Sequence, residues 1–221
     1  MIDDNSIILD FFSGSGTLAH SIFELNKDNK NYQFILVQIP EGTGEKSDAY
    51  KAGFENICEI GKERIRRAGD KILKESENKD LDIGFKVFKV DESNFIPWNP
   101  NIKTTEEAEQ AILGTANDLV QGRSELDLIY ELLLQYGLDL NSKIEEREIN
   151  NNKFYIVNNG FLIICLNPTI NNTIAKDIID LKEELLTESC KVILLDKALD
   201  SKSSINIFND LDSEDIELDT I

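Results

Sequence analysis

The segment ILDFFSGSGTLAHSIFEL, residues 8–25, limits the fold more than any other. The apolar run SIILDFF, 6–12, leads into two glycines one residue apart, and a helical pattern follows. A short, continuous run of this kind marks a parallel strand buried on both faces. Gly14 and Gly16 supply the turn, and Thr17 is placed to cap the next helix. Leu18, Ile22, Phe23 and Leu25 give that helix an apolar face. Glycine reaches φ > 0 at little cost and lets backbone approach a ligand closely. The helix start adds unpaired N–H groups and a partial positive charge. Such a turn suits a polar or anionic nucleotide group.

The first hundred residues repeat the alternation. NKDNKN, 26–31, is a polar turn, and YQFILVQIP, 32–40, is a second buried strand stopped by Pro40. EGTGEKSDA, 41–49, is expected to be a flexible loop. The spacing of Phe54, Ile57, Cys58, Ile65, Ile72 and Leu73 predicts a long helix from Ala52 to Glu75. Lys62, Arg64, Arg66, Arg67, Lys71 and Lys74 fall on its outer face and are expected to be solvated. IGFKVFKVD, 83–91, alternates and predicts a third strand. Residues 1–100 therefore spell a βαβαβ half of a doubly wound sheet. NFIPWNPN, 94–101, breaks the pattern and marks a domain boundary, with Trp98 as a packed plug.

Residues 101–221 differ in kind. TEEAEQAILGTANDL and SELDLIYELLLQY predict helices, the second ended by Gly137. KFYIVNNGFLIICL is two short strands joined at Asn159-Gly160. TIAKDIIDLKEELL is a helix and KVILLD, 191–196, a buried strand. The acidic tail NIFNDLDSEDIELDTI is expected to fray. This half is a small α+β domain without catalytic spacing.

Composition excludes several classes. The chain is 41% hydrophobic and 29% charged, and no apolar run approaches the roughly 18–20 residues of a membrane helix. The start MIDDNS has no signal-peptide character, so a cytoplasmic protein is expected. Cys58, Cys165 and Cys190 form no CxxC pair and are expected to be reduced core thiols. His20 is the only histidine and is read as structural. The net charge of −19 argues against unaided nucleic-acid binding. Residues 1–100 hold 13 basic and 18 acidic side chains, and residues 101–221 hold 10 and 24. The second half is therefore expected to be solvated or to face a partner.

Three ligands compete for the glycine turn, beside a tight turn with none. A P-loop needs a lysine directly after its last glycine, and Gly16 is followed by Thr17. A dinucleotide site fits Gly14, Gly16 and Ala19, but Gln38 stands where the ribose-binding acid belongs, with Glu41 three residues on. S-adenosylmethionine sites use an acid on the first strand and an FxGxG turn. Asp10 followed by Phe12-Ser13-Gly14-Ser15-Gly16-Thr17 fits that better.

LDFFSGSGTLAHSIFELN, FILVQIPE, EIGKERIRRAGDKI and GFKVFKVDESNFIPW occur in this order and spacing. Together they resemble the C-terminal half of the modification subunit of type III restriction–modification systems, which are β-class, adenine-specific DNA methyltransferases. Residues 124–140, 154–166 and 191–208 resemble the same region more loosely. The fold implied is a partial S-adenosylmethionine-dependent, Rossmann-like methyltransferase domain over 1–100 and an α+β C-terminal domain over 101–221. In the roles implied, Asp10, Phe11, Phe12, Ser13, Gly14, Ser15, Gly16 and Thr17 wrap the methionine end of the cofactor. Gln38 stands at the ribose position with Glu41 as the alternative, and Asp91 lies near the adenine amino group.

The family's catalytic motif is an Asp or Asn, two prolines and an aromatic, and it precedes the glycine turn in the chain. Pro40, Pro97, Pro100 and Pro168 each stand alone. The resemblance thus implies a chain without the catalytic half, the target-recognition domain or the segment that closes over the cofactor. It is expected to be inactive and poorly soluble alone, because the strand at Ile7 to Phe11 would lack a neighbour. The partners implied are an N-terminal catalytic half, encoded upstream, a second modification subunit and a restriction subunit. DNA would be reached through the complete enzyme. Either a decayed fragment or half of a split enzyme fits. The competing functions are a non-catalytic assembly module of the complex and an NAD-linked oxidoreductase.

Overall fold

In the computed structural model, which describes residues 3–96, 104–105, 119–199 and 203–221, the two N-terminal apolar runs become β1, Ile7–Asp10, and β2, Gln33–Leu36. They pair in parallel, with Ile7 opposite Gln33 and Leu9 opposite Ile35. The chain divides into two units, Met1–Val87 and Phe88–Ile221.

In the first unit, β1 and β2 alternate with α1, Thr17–Asn26, α2, Asp48–Lys51, and α3, Ile57–Glu75. Side chains alternate across a strand, so the two sheet faces meet different fates. Phe34 and Leu36 pack on the helices, where Ala19, Phe23, Ile65, Ala68 and Ile72 form the core. Gly69 lets the elements close, since a Cβ there would meet Ile83 at 3.0 Å. The opposite face, with Ile7, Leu9, Phe11, Ile35, Val37 and Ile39, is exposed by 46–67%.

Three expectations for this unit change. The long helix starts at Ile57 rather than Ala52. Gly53 holds φ +92° and Asn56 caps α3 by accepting the Glu59 N–H at 3.1 Å. The residues before it form the short α2, capped by Ser47. The loop over 41–49 is tied down: Thr43 donates its N–H to the Glu55 carbonyl and its hydroxyl to that of Phe54. The alternating segment 83–91 forms no strand. Its period reflects packing of Leu81, Ile83 and Phe85 on the helices, which needs no backbone ladder, so the unit has two paired strands.

The second unit contains α4, Glu125–Gln135, β3, Ile144–Ile149, β4, Asn152–Val157, β5, Leu162–Cys165, α5, Ile174–Leu185, β6, Cys190–Leu194, α6, Ser203–Asp212, and β7, Ile216–Thr220. The five strands lie in sequence order. β3, β4 and β5 are antiparallel, and β5, β6 and β7 are parallel. Alternate residues serve two cores. Phe154, Ile156, Ile163, Val192 and Leu194 pack with Ile174, Ile178 and Leu181 of α5 and with Ile207 and Leu211 of α6. Tyr155, Val157, Leu162, Ile164 and Ile193 pack with Leu128, Ile129, Leu132 and Leu133 of α4. The helices thus cover both faces of this sheet.

The hairpin at Asn159-Gly160 forms as expected between β4 and β5. A second, unexpected hairpin joins β3 to β4 through Asn150 and Asn151, both at positive φ. The tail does not fray: Ile207, Leu211 and Ile216 are buried, and β7 pairs along β6. Trp98, the boundary residues 97–101 and most of the predicted helix over 105–119 lie outside the described residues. Among the described residues no helix is long and apolar enough to cross a membrane.

Candidate cofactor site

The turn after β1 is built by short-range hydrogen bonds and by glycine. Asp10, at the end of β1, accepts the Phe12 N–H on its carboxylate at 3.1 Å. Phe11 and Phe12 then point outward, 62% and 85% exposed. The Gly16 N–H closes the turn on the Ser13 carbonyl at 2.8 Å. Gly14 and Gly16 sit at φ +53° and +71°, in the left-handed region that other residues enter only with strain. The expected cap at Thr17 is not formed. Gly16 is the N-cap, Thr17 is the first helical residue, and no side chain caps α1. The helix start therefore offers backbone N–H groups to a ligand.

Two other elements brace the turn. Gln38, just past β2, accepts the Gly14 N–H on its side-chain oxygen at 2.7 Å and donates its amide nitrogen to the Ile39 carbonyl at 3.0 Å. From α3, Gly61 faces the turn, where a Cβ would stand 3.5 Å from the Gly14 carbonyl oxygen. One helical turn on, Arg64 Nη1 donates to Ser15 Oγ at 2.9 Å and Thr17 Oγ1 at 2.7 Å. Sequence reasoning placed Arg64 on a solvated face and missed this contact. Its signal was the spacing from Gly61, since residues i and i+3 share a helix face.

Asp10, the turn residues and Gln38 are thus brought together. Glu41 is exposed, and its backbone carbonyl accepts the Ile57 N–H at the start of α3. Asp91 belongs to the second unit. Arg123 pairs with its carboxylate at 2.7 Å and, with the Glu92 N–H, holds that carboxyl below its usual range. His20 lies on α1, 3.8 Å from the Glu24 carboxylate.

The cysteines do not form one class. Cys165 and Cys190 are buried, and desolvation pushes the Cys190 thiol up to about 11. Cys58, expected in the core, is only partly buried and donates its thiol to the Gln38 carbonyl at 3.6 Å. A thiol-reactive reagent at neutral pH is expected to label one cysteine in the native protein, Cys58, and all three after denaturation. Native labelling of Cys165 or Cys190, read by peptide mass, would contradict the buried placement.

A mixed α/β chain with a strand, a glycine turn and an open helix start is compatible with a methyltransferase-like fold. The comparisons with known proteins narrow that class. The modification subunit of the type III restriction–modification enzyme EcoP15I of Escherichia coli is 34% identical over 171 residues, 76% of this chain and 24% of that subunit. The StyLTI modification subunit of Salmonella typhimurium is 39% identical over 89 residues, 40% of this chain and 14% of its own length. The type II methyltransferase M.KpnI of Klebsiella pneumoniae is 37% identical over 71 residues, 32% of this chain and 17% of that enzyme. No family model matches the chain. The chain is a homologue of type III modification subunits, and it corresponds to a segment of them, spanning less than a third of the relatives it matches.

Proposed function

We propose that this chain is the cofactor-binding and C-terminal part of a site-specific DNA adenine N6-methyltransferase of the type III restriction–modification class. The observation that carries the reading is the uncapped start of α1 behind Gly14 and Gly16, fixed from the side by Gln38. There the turn would receive the methionine end of S-adenosylmethionine on backbone N–H groups. Bound S-adenosylmethionine supplies a methyl group on a sulfonium for transfer to a nitrogen. Gln38 already spends both ends of its amide on the turn and on Ile39, so Glu41 is the better candidate for the ribose hydroxyls.

The chemistry at the target base is assigned to another stretch of polypeptide. An extruded adenine needs a polar side chain and an aromatic around its exocyclic nitrogen, and these 221 residues hold no paired prolines to carry that motif. With a net charge of −19, contact with DNA is likewise assigned to the complete enzyme, together with a second modification subunit and a restriction subunit.

S-adenosylhomocysteine is expected to bind the chain saturably and to raise its melting temperature. At a hundredfold excess over Kd the stabilisation is about 2.7 kcal/mol. Labelled methyl is expected to reach adenine in DNA only when a polypeptide bearing the proline-pair motif is added. A melting curve unmoved by millimolar S-adenosylhomocysteine would remove the cofactor reading, and methyl transfer by the chain alone would remove the division of labour.

A further inference from the structure

We infer that Arg64 reads the carboxylate of the ligand at the glycine turn, and so selects ligands that carry an amino-acid end over plain adenosine thioethers. The inference rests on the cofactor reading above and adds a specificity residue to it. Arg64 reaches back from α3 to bond two hydroxyls of the turn, Ser15 and Thr17, through Nη1. Both partners are neutral, whereas a guanidinium is always charged. The neighbouring cations of α3 are satisfied differently: Lys62, Arg66, Arg67 and Lys71 pair with glutamates of the same helix. Among the described residues Arg64 has no carboxylate partner, although the chain carries 42 acidic residues against 23 basic ones.

The placement supplies what a carboxylate needs. Ser15 and Thr17 fix one arm of the guanidinium at the turn, leaving the Nε and Nη2 donors of a planar fork that matches a carboxylate. Thr17 is also the first residue of α1, whose start carries no side-chain cap. A carboxylate at the turn would meet backbone N–H groups from one side and the Arg64 fork from the other. The rival explanation is a purely mechanical clasp between α3 and the turn. A clasp would support every ligand equally, which separates the two.

The test measures binding of S-adenosylhomocysteine and 5′-methylthioadenosine, which lacks the amino-acid end, to the full chain and to Arg64→Met. The expected result is a loss of about ten- to hundredfold for S-adenosylhomocysteine and little change for 5′-methylthioadenosine, with Arg64→Lys in between. Equal losses for both ligands would mean a clasp and overturn the inference, as would no loss for either. If the unaltered chain binds neither ligand, the cofactor reading falls and this inference with it. If Arg64→Met fails to melt cooperatively, the Ser15→Ala/Thr17→Val variant takes its place. It frees the fork without removing the charge, and is expected to weaken S-adenosylhomocysteine several-fold and spare 5′-methylthioadenosine. Equal effects on the two ligands there would also overturn the inference.

Discussion

Valine in place of Gly16 is expected to abolish saturable binding of S-adenosylhomocysteine, with a loss of more than about a hundredfold. Two costs combine. Gly16 holds φ +71°, and a β-branched residue forced there carries strain of about 1–3 kcal/mol. A Cβ at this position would also stand 3.1 and 3.2 Å from Cδ1 and Cγ1 of Ile65, which is itself 5% exposed in the core of the first unit. Overpacking of that kind costs about 1–3 kcal/mol. The chain can relieve both only by moving the start of α1, and that displaces the N–H groups proposed to receive the ligand. Gly14 separates the two causes. It sits at φ +53°, and a Cβ there would have no neighbour within 4 Å. Gly14→Ala therefore carries the strain without the clash and is expected to melt closer to the unaltered chain. Calorimetric titration and thermal melting of both variants check this. Binding by Gly16→Val within threefold of the unaltered chain would place the ligand elsewhere.

Much of this architecture could be read from local pattern, and the failures have physical reasons. The glycine turn was legible because only glycine fits its backbone. The cores of the second unit were legible because Phe154 and Ile156 face one way and Tyr155 and Val157 the other, as a strand's period of two demands. β3 escaped notice because Glu145, Glu146, Arg147 and Glu148 occupy its middle. It is an edge strand, and charge on an edge discourages unwanted pairing. β7 was hidden for a similar reason, since its acidic side chains mask the one buried anchor, Ile216. The segment 83–91 failed in the opposite direction. Its alternation recorded which side chains pack, and packing does not require a neighbouring strand. The place of Asp10 at the end of β1 and the turn that follows it were legible in the sequence, while the bracing by Gln38 and Arg64 was not. Those contacts span 24 and 47–49 residues, and no local period reports them.

The uncovered sheet face of the first unit gives the second large expected effect. Parallel strands are ordinarily buried on both faces, and a two-stranded sheet is marginal alone. Here Leu9 and Ile35 are cross-strand partners, 48% and 51% exposed, flanked by Ile7, Phe11, Val37 and Ile39 in a similar state. An apolar surface this continuous favours self-association. The chain is therefore expected to sediment as a mixture of associated species and to enhance the fluorescence of a hydrophobic dye. Replacing the central pair, as Leu9→Lys/Ile35→Glu, puts opposite charges across the two strands, where such a pair is tolerated or favourable. The variant is expected to lose more than about half of the dye signal and to sediment as a single species. Melting of the second unit should be unchanged, because its cores contain neither residue. A single sedimenting species without dye enhancement in the unaltered chain would mean that something covers this face in solution. Unchanged association in the variant would move the sticky surface elsewhere, with Leu134, Leu186 and Ile205, 63–87% exposed, the next positions to substitute.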